Sequence, residues 1–419
     1  MSKHNLVEYR VPIEPDNPSI VLHEDKCIKC KLCTKVCRDV MGVYGSFDLE
    51  KTNDIAICIN CGQCASVCPV DCITEKYEYQ EVETHIQDDD KIVIVSTSPA
   101  VRVALGELFG SEEGEFVEGK MVALLKKLGF KYVLDVNFGA DLTIVEEASE
   151  FVERIKDKNS VIPQFTSCCP AWVKYVETYH PDFTPNLSSA KSPIGMQGAT
   201  IKTYFAKKMN IDPTKIVNVT ITPCTAKKFE IRRDEMNASA KYNNVEGMRD
   251  NDYIITTREL AKWAQEKNID FNSLEDESFD KFMGEASGAG VIFGNTGGVM
   301  EAALRTAYSY VTNKEVPEKL YELKEVRDLE AIKEATINID GQDFNVAVVY
   351  GTANATKLLE KIKSGEKSYH FIEVMACPGG CVGGGGQPKK KIPKKDAAIK
   401  KRIESLYNKI GRASCRERA

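Results

Sequence analysis

Two runs of cysteine dominate the chemistry this chain can do. C-I-K-C-K-L-C-T-K-V-C supplies Cys27, Cys30, Cys33 and Cys37, and C-I-N-C-G-Q-C-A-S-V-C-P supplies Cys58, Cys61, Cys64 and Cys68. Each has C-x2-C-x2-C-x3-C spacing, in which one loop wraps three corners of an iron–sulfur cubane and the fourth cysteine serves the other cluster. The pattern predicts one [4Fe–4S] cluster on Cys27, Cys30, Cys33 and Cys68, and a second on Cys58, Cys61, Cys64 and Cys37. Zinc is the bland alternative, but tetrahedral zinc sites use paired C-x2-C knuckles. Cys72 fits no corner and reads as a buried free thiol.

Three further segments carry cysteine far downstream: T-S-C-C-P-A-W (Thr166–Trp172), T-P-C-T-A-K-K-F-E (Thr222–Glu230) and E-V-M-A-C-P-G-G-C-V-G-G-G-G-Q-P (Glu373–Pro388). Cysteines on separate loops that share chemistry must meet in space, which points to a cluster gripped from several sides. The glycines around Cys381 let backbone come close to a bulky group. Fifteen cysteines in a chain of 419 residues, with no apolar stretch of a secretory signal at the N-terminus, argue for metal or redox chemistry rather than disulfides. The expected compartment is the cytoplasm. A net charge of -6 gives no reason to expect nucleic-acid binding, and the lack of an 18-residue apolar run none to expect a membrane span.

The elements that must position these residues follow from patterning. Residues 1–20 read as an extended lead-in and 21–80 as a small cysteine-dense unit ending in a strand and a connecting helix. K-I-V-I-V-S (Lys91–Ser96) is a buried-type strand, and Pro99 suits the first turn of a helix through V-R-V-A-L-G-E-L. V-I-P-Q-F, K-I-V-N-V-T-I-T, G-A-G-V-I-F-G and N-V-A-V-V-Y-G read as buried strands. L-T-I-V-E-E-A-S-E-F-V-E-R-I and G-G-V-M-E-A-A-L-R-T-A-Y read as amphipathic helices. The alternation predicts an α+β ferredoxin-like two-cluster domain (21–80), then an α/β domain (81–410) of two lobes with mostly parallel sheets. Arg402–Ile410 reads as an amphipathic helix, and the patternless 411–419, holding Cys415, as a non-native tail.

The three downstream loops together resemble the signature loops of [FeFe]-hydrogenases, and the resemblance covers roughly residues 21–410. It implies an H-cluster, a [4Fe–4S] cubane joined to a two-iron subsite with CO, CN and azadithiolate ligands. Cys169, Cys224, Cys377 and Cys381 would hold it, with Cys381 bridging its two parts. It further implies that Cys168 exchanges the reacting proton and that Lys227 donates to a cyanide ligand. Protons would travel by Arg154, Glu150, Ser188 and Glu147, the first two and Glu147 sharing one helix face. Pro99, Ala100 and Thr222 match positions lining the two-iron subsite. The chain departs from the usual pattern at Ala171 (often glycine), Thr222 (usually methionine), Ala100 (often serine) and Ser98 (often alanine). Arg38 also replaces the proline common after the fourth cysteine of such a run.

On this resemblance the chain is expected to be a short, monomeric enzyme interconverting protons, electrons and H2. Ferredoxin or another low-potential carrier is its expected electron partner, and maturation proteins would supply the two-iron subsite. An H2 sensor would add a signalling module and alter the proton-transfer cysteine. A non-catalytic iron–sulfur assembly factor would not keep Cys168, Lys227 and the full loop set together. A plain electron carrier leaves more than 300 of the 419 residues without purpose. The basic run Lys389–Arg402 reads as a solvated face, with a docking patch for an acidic ferredoxin as the alternative.

Overall fold

The computed structural model describes residues 9–45, 57–321, 323–327, 329–390 and 394–408. The tail 411–419 and Cys415 lie outside the described residues. The first cysteine run leads into helix α1 (Leu32–Asp39) and the second into α2 (Gln63–Val67). The sequence duplication is also a backbone duplication. Lys29 and Lys31 take left-handed φ of 58° and 60°, and Asn60 and Gly62, at the same offsets in the second run, take 62° and 66°. Each helix starts where the loop has turned back on itself. Strands β1 (Ile20–Leu22) and β2 (Ile73–Glu75) pair antiparallel, Ile20 opposite Glu75, and close the unit. Val11 and Ile13, from the lead-in, are buried in the same cluster as Cys33, Cys64 and Cys68. The connecting helix, α3 (Tyr79–Ile86), follows as expected.

Eight more strands run in order as β3 (Ile92–Thr97), β4 (Tyr132–Asp135), β5 (Gln164–Phe165), β6 (Ile216–Thr222), β7 (Tyr253–Thr256), β8 (Ile332–Ile339), β9 (Gln342–Tyr350) and β10 (Phe371–Met375). They make two four-stranded sheets, β4-β3-β6-β7 and β5-β10-β9-β8. Every pair is parallel except β8 with β9. Both sheets are covered on both faces, which is why their strands read as near-continuous apolar runs. Along β3, Val93 and Val95 enter one core with Trp263 and Leu124, while Ile94 enters another with Phe205. Along β9, Val346 and Val348 face one core, Ala347 and Val349 the other.

In the first sheet the chain leaves β3 for β4 on one side and later returns to place β6 on the other. Such a switch in strand order opens a crevice beyond the carboxyl ends of the two strands, where open α/β sheets bind ligands. Helix α4 (Asn137–Lys156) follows β4, α5 (Pro170–Tyr179) follows β5, and α6 (Pro193–Thr200) crosses α4 closely. A Cβ on Gly139 would sit 2.2 Å from the Pro193 carbonyl oxygen, so glycine is what permits that crossing. Helices α7 (Gly298–Thr312), α8 (Thr352–Lys363) and α9 (Lys394–Asn408) complete the elements used below.

Three expectations are corrected. G-A-G-V-I-F-G is helical over Gly288–Ile292, not a strand. A short apolar run does not distinguish a strand from a buried helix, and here a Cβ on Gly290 would lie 2.8 Å from the Asn137 carbonyl, a close helix approach. The segment after Pro99 forms two short 3-10 turns, Pro99–Val101 and Leu105–Phe109, instead of an α-helix. Arg102 lies between them and is drawn into the interior, 2.8 Å from Asp135, a burial that an amphipathic surface helix would not provide. V-I-P-Q-F contributes only Gln164–Phe165 to the sheet, because Pro163 has no N–H for the ladder.

Candidate metal-cluster site

Four turns, three of them cysteine-bearing, converge from the carboxyl ends of strands in both sheets. β3 ends in Ser98–Pro99, β6 in Thr222–Cys224, β5 in Cys168–Cys169 and β10 in Ala376–Cys377. They border a pocket of about 710 Å³, part of it open to solvent, lined also by Cys381, Lys227, Gly380 and Gly384 and by the apolar Val136, Ala140, Ile194, Phe293 and Met375. The glycines are there for space. A Cβ on Gly384 would stand 2.4 Å from the Pro223 carbonyl, and Gly380 combines φ 90° with backbone of Asn295 and Thr296 against it.

Burial pushes the thiol of Cys377 up to about 12 and raises Cys169, Cys224 and Cys381 as well. Four mutually repelling thiolates in an apolar cage need cationic charge among them, which iron supplies when it replaces their protons. The donor set and the space therefore fit a cluster.

Lys227 donates from Nζ to the Cys168 carbonyl (3.0 Å) and to both carboxylate oxygens of Glu230 (3.1 and 2.8 Å). Its stem is thereby fixed on the cavity wall. Cys168 is buried beside it, and burial followed by the charge of Glu147 pushes its thiol well above the usual value. The helix face read from sequence is real. Arg154 pairs with Glu150 at 2.7 Å, Ser188 donates to Glu150 at 2.6 Å, and Arg154 also donates to the Leu187 carbonyl at 2.9 Å. Glu147 is completely buried, and neither of its oxygens makes a hydrogen bond of normal geometry. Ser167 and Ser188 come near enough to draw its pKa down slightly, but burial dominates and holds it at about 8.

The small unit presents the other thiols. Cys37, Cys58, Cys61 and Cys64 border one cavity of about 470 Å³ with Val11, Ile13, Ile20, Met41 and Val43. That is the second set predicted from spacing. In the first set Cys33 and Cys68 are buried, Cys27 is half-buried and Cys30 is exposed. Cys33 feels the charges of Cys30 and Cys68. Cys72 is buried against Cys27 and is pushed up to about 12, chiefly by burial.

Not every expected residue reaches the cavity. Thr222 and Pro99 line it, but at the next turn the wall is Ser98. Ala100 packs away from it, in an apolar cluster with Val103, Val382, Ile399, Ile403 and Leu406. The basic run is not a plain solvated face. Lys389 donates to the Cys68 carbonyl (3.1 Å) and pairs with Asp71, Lys390 bridges Glu107 and Glu113 (3.1 and 3.2 Å), and Arg402 holds Glu107 at 2.7 Å. Gln63, Met375 and Phe293 escaped sequence reasoning. Gln63 at least sits inside a cysteine run.

The description "Iron only hydrogenase large subunit, C-terminal domain" belongs to the family model that matches residues 91–385, and a "4Fe-4S binding domain" model matches 54–74. The chain belongs to the iron-only hydrogenase family, and it carries an iron–sulfur binding motif ahead of the family domain. It is 48% identical over 381 residues to the periplasmic [Fe] hydrogenase large subunit of Nitratidesulfovibrio vulgaris, covering 90% of this chain and 88% of the relative. A solved structure of HydA(deltaEFG), whose subject is stepwise [FeFe]-hydrogenase H-cluster assembly, superposes with a TM-score of 0.68 at 39% identity, covering 79% of this chain and 88% of the other. The cytosolic Fe-S cluster assembly factor narfl of Xenopus tropicalis is also related, at 32% identity over 84% of this chain and 75% of its own. No helix among the described residues is long and apolar enough to cross a membrane.

Proposed function

We propose that this protein is a catalytic [FeFe]-hydrogenase, reversibly forming H2 from protons and electrons. The observation that carries the proposal is one cavity joining four thiols, Cys169, Cys224, Cys377 and Cys381, to the proton-bearing Cys168 and to Lys227. The four thiols would hold the cubane of an H-cluster, with Cys381 shared with its two-iron subsite. When bound, that group supplies the redox-active iron at which protons and electrons combine.

The chain's own residues then have definite tasks. Lys227, steadied by Glu230, offers an ammonium donor to an anionic ligand in a water-poor pocket. Cys168 holds a proton at the cavity wall, and Glu147, protonated at neutral pH, stands behind it to replace that proton. Ser188 and Glu150 carry the line outward to Arg154, which is part-exposed. Electrons would pass from the set containing the exposed Cys30, through the set containing Cys61, to Cys377. Ferredoxin or a similar low-potential carrier is the partner of this reading, with maturation proteins delivering the two-iron subsite, a monomer as its working form and the cytoplasm as its compartment.

The kinship with assembly factors makes a non-catalytic role the reading to beat. The test is anaerobic H2 evolution from reduced viologen after cluster reconstitution and loading with a synthetic two-iron cofactor, with Cys168→Ala alongside. Turnover that collapses in the variant is expected. Carbonyl and cyanide infrared bands without turnover would favour a sensor. A cubane-loaded protein that takes up no two-iron unit would favour assembly.

A further inference from the structure

Between the two inner thiol sets lies a buried polar pair that the proton line does not use. Gln63 occupies C-G-Q-C between Cys61 and Cys64 and is fully buried. Its side-chain nitrogen donates to the Gly383 carbonyl at 2.9 Å and reaches toward Cys377, whose pKa it lowers. Its oxygen accepts from Nζ of Lys395, on α9, at 3.0 Å. Lys395 is half-buried and, like Arg402 of the same run, turns inward. Burial lowers its pKa from the ordinary lysine value, Arg402 adds to that shift, and Cys377, Asp396 and, more weakly, Cys61 oppose it. One ammonium thus stands beside Gln63, which lies between Cys61 and Cys64 and is bonded to the turn that carries Cys377 and Cys381. The sets themselves are in contact, since a Cβ on Gly62 would meet the Thr225 side chain at 2.4 Å and one on Gly385 the Cys61 carbonyl at 2.2 Å.

We propose that Lys395, oriented by Gln63, is a positioning residue for electron transfer: its fixed charge raises the reduction potentials of the two clusters it lies between, the Cys377 cluster more than the Cys61 cluster. Adding an electron to a cluster adds negative charge, so a nearby cation stabilises the reduced form, strongly where water is excluded. Unequal shifts set the driving force of the step between the two clusters. The inference rests on the ligand sets given under Proposed function.

The test is a redox titration followed by electron paramagnetic resonance on the anaerobically reconstituted full chain, without the two-iron subsite, for the wild type, Lys395→Gln and Lys395→Arg. Lys395→Gln is expected to move the potentials of the Cys377 and Cys61 clusters to more negative values, the former further. The outer cluster, on Cys27, Cys30, Cys33 and Cys68, should stay in place, and Lys395→Arg should match the wild type. Unmoved potentials in Lys395→Gln at full iron content would overturn the inference, as would an equal shift in all three clusters or in Lys395→Arg. Iron and sulfide content of the wild type checks the ligand sets separately. Less than three cubanes there sinks that reading and this one together, before any potential is read.

Discussion

Glu147 is an acid in a place where its charge has nothing to lean on. Its pKa of about 8 comes from burial, so at pH 7 it carries a proton, the state a donor behind Cys168 requires. Replacing it with glutamine keeps shape and burial but ends proton exchange, and turnover should fall by about 10²–10⁴-fold with iron content unchanged. Stability should move the other way. A carboxyl with a raised folded pKa binds more protons folded than unfolded, from about pH 4.3 upward. Stability is therefore lost as pH rises through that window toward 8. The thermal midpoint of Glu147→Gln should gain on the wild type steadily between these limits, by an amount worth about 5 kcal/mol at most. A constant offset across the range would contradict the assignment. Glu147 could be picked out by its spacing before Cys168, but its isolation could not, because only the packing of α4 against the second sheet removes its water.

At the scale of elements, the site depends on how closely turns approach one another. Gly385 lies over Cys61 and Gly62 with no room for a methyl group. Gly385→Ala should cost about 1–3 kcal/mol through overpacking. It should also raise amide exchange across residues 57–68, where a purely local effect would leave that segment unchanged. Patterning identified helices α4 and α7, strands β3, β6 and β9 and the connecting helix, because their periodicities are set by residues close in sequence. It failed where tertiary contacts decide. Gly288–Ile292 is helical because it must fit against Asn137, and the turn after Pro99 follows a buried Arg102. The thiol sets were legible from spacing because one loop fixes three corners. That the downstream cysteines meet was inferred from their shared chemistry, but which of them share one cluster came only from the resemblance, since local pattern does not show β5 pairing with β10 across some two hundred intervening residues or β6 of the other sheet bringing Cys224 to them.

Over the whole molecule, charge is unevenly placed. The protein is acidic overall, yet the exposed Cys30 has exposed Lys26, Lys29, Lys31 and Lys35 beside it in sequence, with the exposed acids Glu24 and Asp25 just before them, and Ile28 is 59% exposed. The basic run at 389–402, by contrast, spends several of its cations on internal partners. An acidic electron carrier should therefore dock at the Cys30 face. Reversing Lys29 and Lys31 to glutamate should raise its KM, with the effect shrinking at high salt, and leave viologen kinetics alone. The same change at Lys400 and Lys401 should do little. A larger effect at the latter pair would move the docking face.

The thiols that would grip the reaction centre are spread from Cys169 to Cys381, and α9, which packs Leu406 against Gly294 and Ala100, comes later still. A ribosome releases the chain from the other end, and units generally fold as they emerge. The outer thiol sets can close around their iron while most of the protein is still unmade. The pocket has no fourth thiol until Cys381 emerges. A four-thiol grip at that place would accordingly close only after nearly all of this sequence has been made.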